Sequence, residues 1–360
     1  MLAVDAAVRL SPRLMESAPS TDREGGYPAQ AMRWLHAAGL CLAPVPVGLG
    51  GQGLNDNAQR LALLCMLKHI GRGDLVVGRL YEGHVNALQL IFAFGNPAQQ
   101  EQTARDAAEG RWFGVWNTQG ENGVRLTASP GGGLQLTGSK LYASGAGHID
   151  RPLVTAQRAD GSWQLVLTEG GVGIAIERSF WQPLGMRATA SFQVRFDAHP
   201  VQIDALVGMP GDYLREPRFS AGAVRFAAVQ LGGAEAVLDE TRRALRRISR
   251  TDDPYQRMRL GEMAMAVEGG NLWFDGAARH CDSAVYAHLM RSAIEQIGLR
   301  VMQLAERCVG ARGLLRPSPL ERLHRDLTHY LRQAAPDAVL AAAGAHVLAS
   351  DTPSHQLWGR

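Results

Sequence analysis

Hydrophobic spacing changes period twice along this chain, and that double switch limits the folds open to it more than any other feature. Up to about residue 110, apolar residues recur at three- and four-residue intervals, as in Ala31 to Ala38, Ala58 to Ile70 and Leu80 to Phe94. Such spacing lines one face of a helix. From about residue 112 to 205 the pattern shortens to strand-like runs: Leu134 to Leu136, Pro152 to Ala156, Trp163 to Thr168, Val172 to Ile176 and Phe192 to Phe196. Turn signals such as Pro130-Gly131-Gly132-Gly133 and Ala159-Asp160-Gly161 separate them, which predicts a small antiparallel barrel. Helical spacing then returns in Ala221 to Arg250, Gln256 to Cys281, Ser283 to Val309 and Leu320 to Ala349, the last interrupted near Pro336. The expectation is an α+β chain of three zones in one cooperative unit: helical over 1–111, β over 112–210, and a helical bundle over 211–360.

Several function classes drop out on composition. A formal charge of +3 over 360 residues is not the clustered basic surface that nucleic acid needs. Cys41, Cys65, Cys281 and Cys308 are scattered, without a CxxC pair, and read as reduced thiols with no metal site. The first residues lack the apolar run of a signal peptide, and no stretch reaches the roughly 18 apolar residues of a membrane span. The expectation is a cytoplasmic protein with neither membrane nor nucleic-acid partners. HExxH, GxSxG and Walker strings are absent from the sequence. Asp252-Asp253 before Pro254 reads as a helix break with capping.

Six strings, spread from residue 44 to residue 326, carry more: PVPVGLGGQGL (44–54), LTGSKLYASGAGHID (136–150), WQPLGMRATASFQVRFDAHPV (181–201), VQLGGAEAVLDET (229–241), GEMAMAVE (261–268) and GLLRPSPLERLHRD (313–326). In this order they resemble the acyl-CoA dehydrogenase superfamily over nearly the whole chain. The resemblance implies an N-terminal helical domain, a middle antiparallel β-barrel and a C-terminal four-helix bundle. It also implies FAD between the β domain and the last helices, in a homodimer or homotetramer that shares the site. Taken by themselves, the glycines of residues 50–53 mark a tight turn.

Carried over residue by residue, the resemblance places Trp116 and Thr118 in the string Trp116-Asn117-Thr118-Gln119, with Thr118 as a hydroxyl toward the flavin. It makes Tyr142 an aromatic wall and Ser144 a short donor. Arg247 or Arg250, and Arg307 or Arg312 with Gly310 and Gly313, fall where the family meets its cofactor's phosphates. Here the Phe-Gly of one family string and the Gln of another are missing. Arg225 falls near the family's acyl-CoA-contacting arginine.

The departure with most chemical weight is the missing base. Thioester dehydrogenation needs a desolvated carboxylate to take the α-proton. The usual position falls on Ala334, and the family's alternative falls on or near Gly222. Asp337, three residues beyond Ala334, is the substitute a small shift at Pro336 would bring in. Three functions therefore stand open. The first is a flavin monooxygenase or oxidase that needs no such base, with His329 and Arg332 on the last helix as candidates and a flavin reductase as partner. The second is an acyl-thioester dehydrogenase using Asp337 and an electron-transfer partner. The third is a non-catalytic scaffold subunit. The substrate is accordingly a small molecule or an acyl thioester.

Overall fold

A computed structural model describes residues 2–358. Five helices come first: α1 (Leu2–Glu24), α2 (Ala29–Ala37), α3 (Arg60–Gly73), α4 (Leu75–Phe94) and α5 (Pro97–Ala108). The Gly- and Pro-rich stretch between α2 and α3 folds into short 3₁₀ turns. Local chemistry sets the boundaries. The Asp74 carboxylate accepts from the Val76 amide to cap α4. Asn96 and Gln99 exchange side-chain and backbone bonds in a capping box ahead of α5.

The β domain follows as β1 (Phe113–Trp116), β2 (Arg125–Ala128), β3 (Leu134–Ala143), β4 (Arg151–Gln157), β5 (Trp163–Leu167), β6 (Ile174–Glu177), β7 (Phe192–Val201) and β8 (Leu206–Val207). They form one sheet in the order β6-β7-β3-β2-β4-β5-β8, with β1 added beside β4. The sheet is mixed, which corrects the expectation of a purely antiparallel barrel. β1 pairs with β4 in parallel, Phe113 opposite Arg151 through Trp116 opposite Val154. The turn signals announce hairpins, which force antiparallel neighbours. β1 and β4 are instead joined through β2 and β3, a connection long enough for parallel pairing.

The C-terminal part comprises the short α6 (Arg218–Ala221), then α7 (Ala223–Arg247), α8 (Pro254–Arg279), α9 (Ala284–Val309), α10 (Pro319–Tyr330) and α11 (Pro336–Ala349). The break ahead of Pro336 is the one expected. Asp253 caps α8, accepting from the amides of Tyr255 and Gln256, as its position before Pro254 implied. α7 is the central rod, packed against α3, α8, α9 and α10. Ion pairs Lys68–Glu235 at 2.9 Å and Arg72–Asp239 at 2.5 Å fix its register on α3. No described helix is long and apolar enough to cross a membrane.

His84, fully buried on α4, joins the N-terminal helices to the sheet. Its Nδ1 accepts from the Phe113 amide at 3.3 Å, so Nε2 carries the proton and donates to the Cys41 carbonyl at 3.0 Å. Burial pushes its pKa down to about 4. A histidine depressed in the folded state adds stability above its unfolded pKa near 6.5, and that stability is lost as pH falls toward 4. Between pH 7 and pH 5 this group removes about 2 kcal/mol of unfolding free energy. Urea unfolding of the parent and of His84→Gln across that range checks it. The variant should start less stable and show a shallower fall; equal slopes would refute the assignment.

Candidate functional site

α4 is apolar on most of its circumference, yet Arg79, Glu82, Gly83, Asn86 and Gln89 recur at helical spacing along one stripe. That stripe walls a cavity of about 590 Å³. The end of β1, the segment 213–226, the start of α9 and residues 333, 334 and 339 close the remaining sides. At its base Arg225, only 9% exposed, holds three partners. Its Nη1 donates to Gln89 at 2.8 Å, its Nη2 to Asn86 at 2.5 Å, and its Nε lies 3.3 Å from Glu82. Glu82 also pairs with Arg79 at 2.9 Å. The acid nearest the cavity floor is thus engaged by two guanidinium groups.

Both positions where the resemblance seeks a base are on this wall. Ala334 and Gly222 line the cavity, and neither carries an acid. Asp337 is not among the lining residues; it sits exposed in the first turn of α11, where a carboxylate suits the helix dipole. Arg332 points away into an exposed pair with Glu295 at 2.8 Å.

Thr118 lines the cavity, and its carbonyl accepts from the Leu141 amide at 2.9 Å, which sets it beside the end of β3. Tyr142 follows at a left-handed φ of 53°, which turns its ring outward to 50% exposure. The ring meets Phe180 edge-on at 5.3 Å and Trp181 at 6.2 Å, and Trp181 in turn meets His329 at 5.3 Å. Burial lowers the His329 pKa, so its imidazole is neutral near pH 7. Ser144 lies behind Tyr142 in a hydroxyl chain with Ser191 and Thr189, at 2.9 and 2.8 Å. Trp116 is buried beneath, its indole N–H donating to the Ser144 carbonyl at 3.2 Å. Four of the expected cofactor residues therefore stand together around one ledge. An exposed aromatic wall with hydroxyl donors at its edge fits the ring of a flavin.

Within a single chain, the remaining expected contacts lie away from this ledge. Arg307 is in the last turn of α9, and Gly310, Arg312 and Gly313 occupy the turn after it. The cavity is lined instead by His288 and Arg291 near that helix's start. At 1.5 Å per residue, Arg291 and Arg307 are about 24 Å apart along the axis. Gly310 keeps a positive φ of 63°, and a Cβ on Gly313 would lie 2.0 Å from Val309 Cγ2, so both positions have a local structural reason for glycine. Arg250 pairs with Asp253 at 3.7 Å on the surface between α7 and α8.

Two groups went unread in the sequence. Lys140 is fully buried, its pKa pushed down to about 7 by burial. It donates to the Asn117 carbonyl at 2.9 Å and to Thr155 Oγ1 at 2.8 Å, holding the segment that carries Thr118. Its signal was a lone cation inside a strand-like run. The arginines of the cavity, Arg60, Arg79, Arg218 and Arg291, come from four separate elements. No local motif unites them, although the polar stripe on α4 marked the wall they share.

Comparison with known proteins follows the geometry closely. The family descriptions "Acyl-CoA dehydrogenase, N-terminal domain" and "Acyl-CoA dehydrogenase, C-terminal domain" match residues 6–111 and 212–331. A dibenzothiophene monooxygenase of Mycolicibacterium goodii is 27% identical over 318 residues, covering 79% of this chain and 74% of that protein. A protein of Pseudomonas putida named a probable FMNH2-dependent monooxygenase, SfnC, is 26% identical over 302 residues, covering 78% and 74%. The FMN-bound TdsC from Paenibacillus sp. A11-2 superposes with a TM-score of 0.88 over the full length of both chains, at 20% identity, a likeness of fold.

Proposed function

The chain belongs to the acyl-CoA dehydrogenase superfamily, and from that premise we propose that it is a flavin-dependent monooxygenase acting on a small molecule. The observation that carries this reading is the cavity wall at Ala334 and Gly222, which offers no carboxylate where α-proton abstraction would need one. The relatives named as monooxygenases support it. The name of the Pseudomonas putida relative also favours reduced FMN over the FAD that the family resemblance implied, and a flavin reductase is the partner that would deliver it. When bound, a reduced flavin and O₂ together supply one oxygen atom to the substrate and one to water.

What this chain contributes is placement. Tyr142 presents a flat wall to a flavin ring, and Thr118 and Ser144 offer hydroxyls at its edge. His329, fixed edge-on by Trp181 and kept neutral by burial, can donate one hydrogen bond and accept another at its imidazole nitrogens. Lys140 keeps Thr118 in register from behind. The cavity beyond Thr118 receives the substrate and keeps bulk water from the reacting side. The test is aerobic turnover with an NADH:FMN reductase and an aromatic thioether such as dibenzothiophene, alongside anaerobic mixing with butyryl-CoA. Oxygenated product with no anaerobic bleaching is expected. Bleaching by the thioester, or a protein that takes up no flavin, would overturn the reading.

Self-association follows from α8. Met258, Met265 and Leu272 recur every seven residues and stand 54%, 73% and 61% exposed. This two-turn interval aligns them in one apolar stripe, which a second copy of the chain covers in a homodimer or homotetramer. Met265→Lys should shift the mass measured by light scattering toward a single chain. A parent protein already at single-chain mass would refute the dimer.

A further inference from the structure

Six arginines but only three carboxylates line the cavity: Arg60, Arg79, Arg215, Arg218, Arg225 and Arg291 against Glu82, Glu216 and Asp282. The acids are already engaged. Glu82 holds Arg79 and Arg225. Glu216 accepts from the hydroxyl and amide of Ser220 at 2.6 and 3.1 Å, and Asp282 accepts from Asn57 at 3.4 Å. Among the described residues, no carboxylate oxygen lies within 4 Å of Arg60, Arg218 or Arg291.

Those three cations are held by neutral groups alone. Arg60 donates to the Asn57 side-chain carbonyl at 2.6 Å. Arg218 lies over the Phe94 ring at 5.5 Å. Arg291 lies over Phe226 at 5.4 Å and donates to the Ala334 carbonyl. Burial depresses the Arg60 pKa and repulsion from Arg225 adds to it, while Cys281 and Asp282 offset part of the shift. His288 gives no relief: its Nε2 meets Ser220 Oγ at 3.1 Å and its Nδ1 is buried without a partner. Leu90, Phe94, Phe219, Phe226 and Val339 add apolar surface to a wall that neutral amides such as Asn55, Asn117 and Gln333 share. Like charges gathered in a partly closed cavity raise its potential, and an anion entering it gains more than it would in water. A guanidinium is suited to this because it pairs with carboxylate and sulfonate oxygens through two parallel N–H groups.

We propose that this cavity selects an oxyanion-bearing substrate, a carboxylate or sulfonate on an aromatic or other apolar body, with Arg60 and Arg218 holding the anionic group. The inference rests on the reading that the cavity is the substrate site. It deepens that reading by adding a charge that a neutral aromatic thioether lacks.

Calorimetric binding without any flavin separates the two, because it needs no turnover. The probes are naphthalene-2-sulfonate, naphthalene-2-carboxylate and the uncharged naphthalene-2-sulfonamide. Both anions should bind at least about tenfold more tightly than the sulfonamide, with affinity falling as salt rises. Arg60→Gln and Arg218→Gln should each weaken the anions about tenfold and leave the sulfonamide unchanged. The exposed Arg218 makes its variant safe for folding, and circular dichroism confirms both. Equal affinities for the charged and uncharged probes, or no anion binding at millimolar concentration, would overturn the proposal. So would variants that weaken FMN but neither riboflavin nor the sulfonate, since the arginines would then serve the flavin's phosphate. Oxygen-dependent turnover fails or succeeds independently of all these outcomes.

Discussion

Replacing Arg225 by Ala is expected to lower the unfolding free energy by about 3–5 kcal/mol, the cost of leaving one partner of a buried ion pair behind. The side chain is 9% exposed and meets Glu82, Asn86 and Gln89, three residues of α4, from the first turn of α7. Truncation strands two amide oxygens and half of the carboxylate's compensation in a site with restricted access to water. Arg225→Lys keeps a charge beside Glu82 but cannot reach both amides at once, and should cost less, about 1–2 kcal/mol. Replacing Glu82 and Arg225 together by Met should recover part of the loss, because no buried carboxylate is then left short of a partner and the Arg79 that loses Glu82 is part-exposed. Urea titrations of the three variants read these differences. An Arg225→Ala protein as stable as its parent would mean that the network does not hold α4 to α7.

Gly232→Ala should cost about 3 kcal/mol, the upper end of what overpacking does to a tight interior. A Cβ at this position on α7 would lie 2.1 Å from the Lys68 carbonyl oxygen and 2.6 Å from the Arg72 amide nitrogen, both backbone atoms of α3. Neither can swing aside as a side chain would. Gly71 on the facing helix is equally confined, with the Val229 carbonyl oxygen 2.4 Å from its missing Cβ. Separating the helices would also stretch the Lys68–Glu235 and Arg72–Asp239 pairs that flank the crossing. Gly344 on α11 is the control, with nothing within 4 Å of a Cβ. There Ala removes only the helix penalty of glycine and should stabilise by about 0.5–1 kcal/mol. The same sign for both variants would remove the close crossing as the cause.

The helix–sheet–helix order was legible because burial imposes its period on each element. The break at Pro336 and the cap at Asp253 were legible because both are decided within a few residues. α1 was not singled out: Pro12 and Pro19 lie inside it, and proline ordinarily argues against a helix interior. β1 and β2, at four residues each, are too short to display an alternation. Trp116, Thr118, Tyr142 and Ser144 come from two neighbouring segments, so local strings sufficed to group them. The empty base positions at Ala334 and Gly222 were found in the same way. The arginine cavity was not, since Arg60, Arg218, Arg225 and Arg291 meet only after α3, α6, α7 and α9 have packed. The parallel pairing of β1 with β4 was hidden for a similar reason, being a choice made between distant segments.

One contact links the two ends of this order. Asp22, in the last turn of α1, accepts from Arg325 on α10 at 2.7 Å, across 303 positions of sequence. The same helix carries Asp326, which accepts from the Met186 amide of the β domain at 2.7 Å, and His329 on the aromatic ledge. α1 leaves the ribosome well before α10, so that helix waits through 303 positions of synthesis for the partner that completes its surroundings. Long-range closure of this kind is slow and leaves apolar faces open meanwhile. The ledge is therefore assembled only once α10 has been made, and the helices that precede it stay open to wrong partners until then.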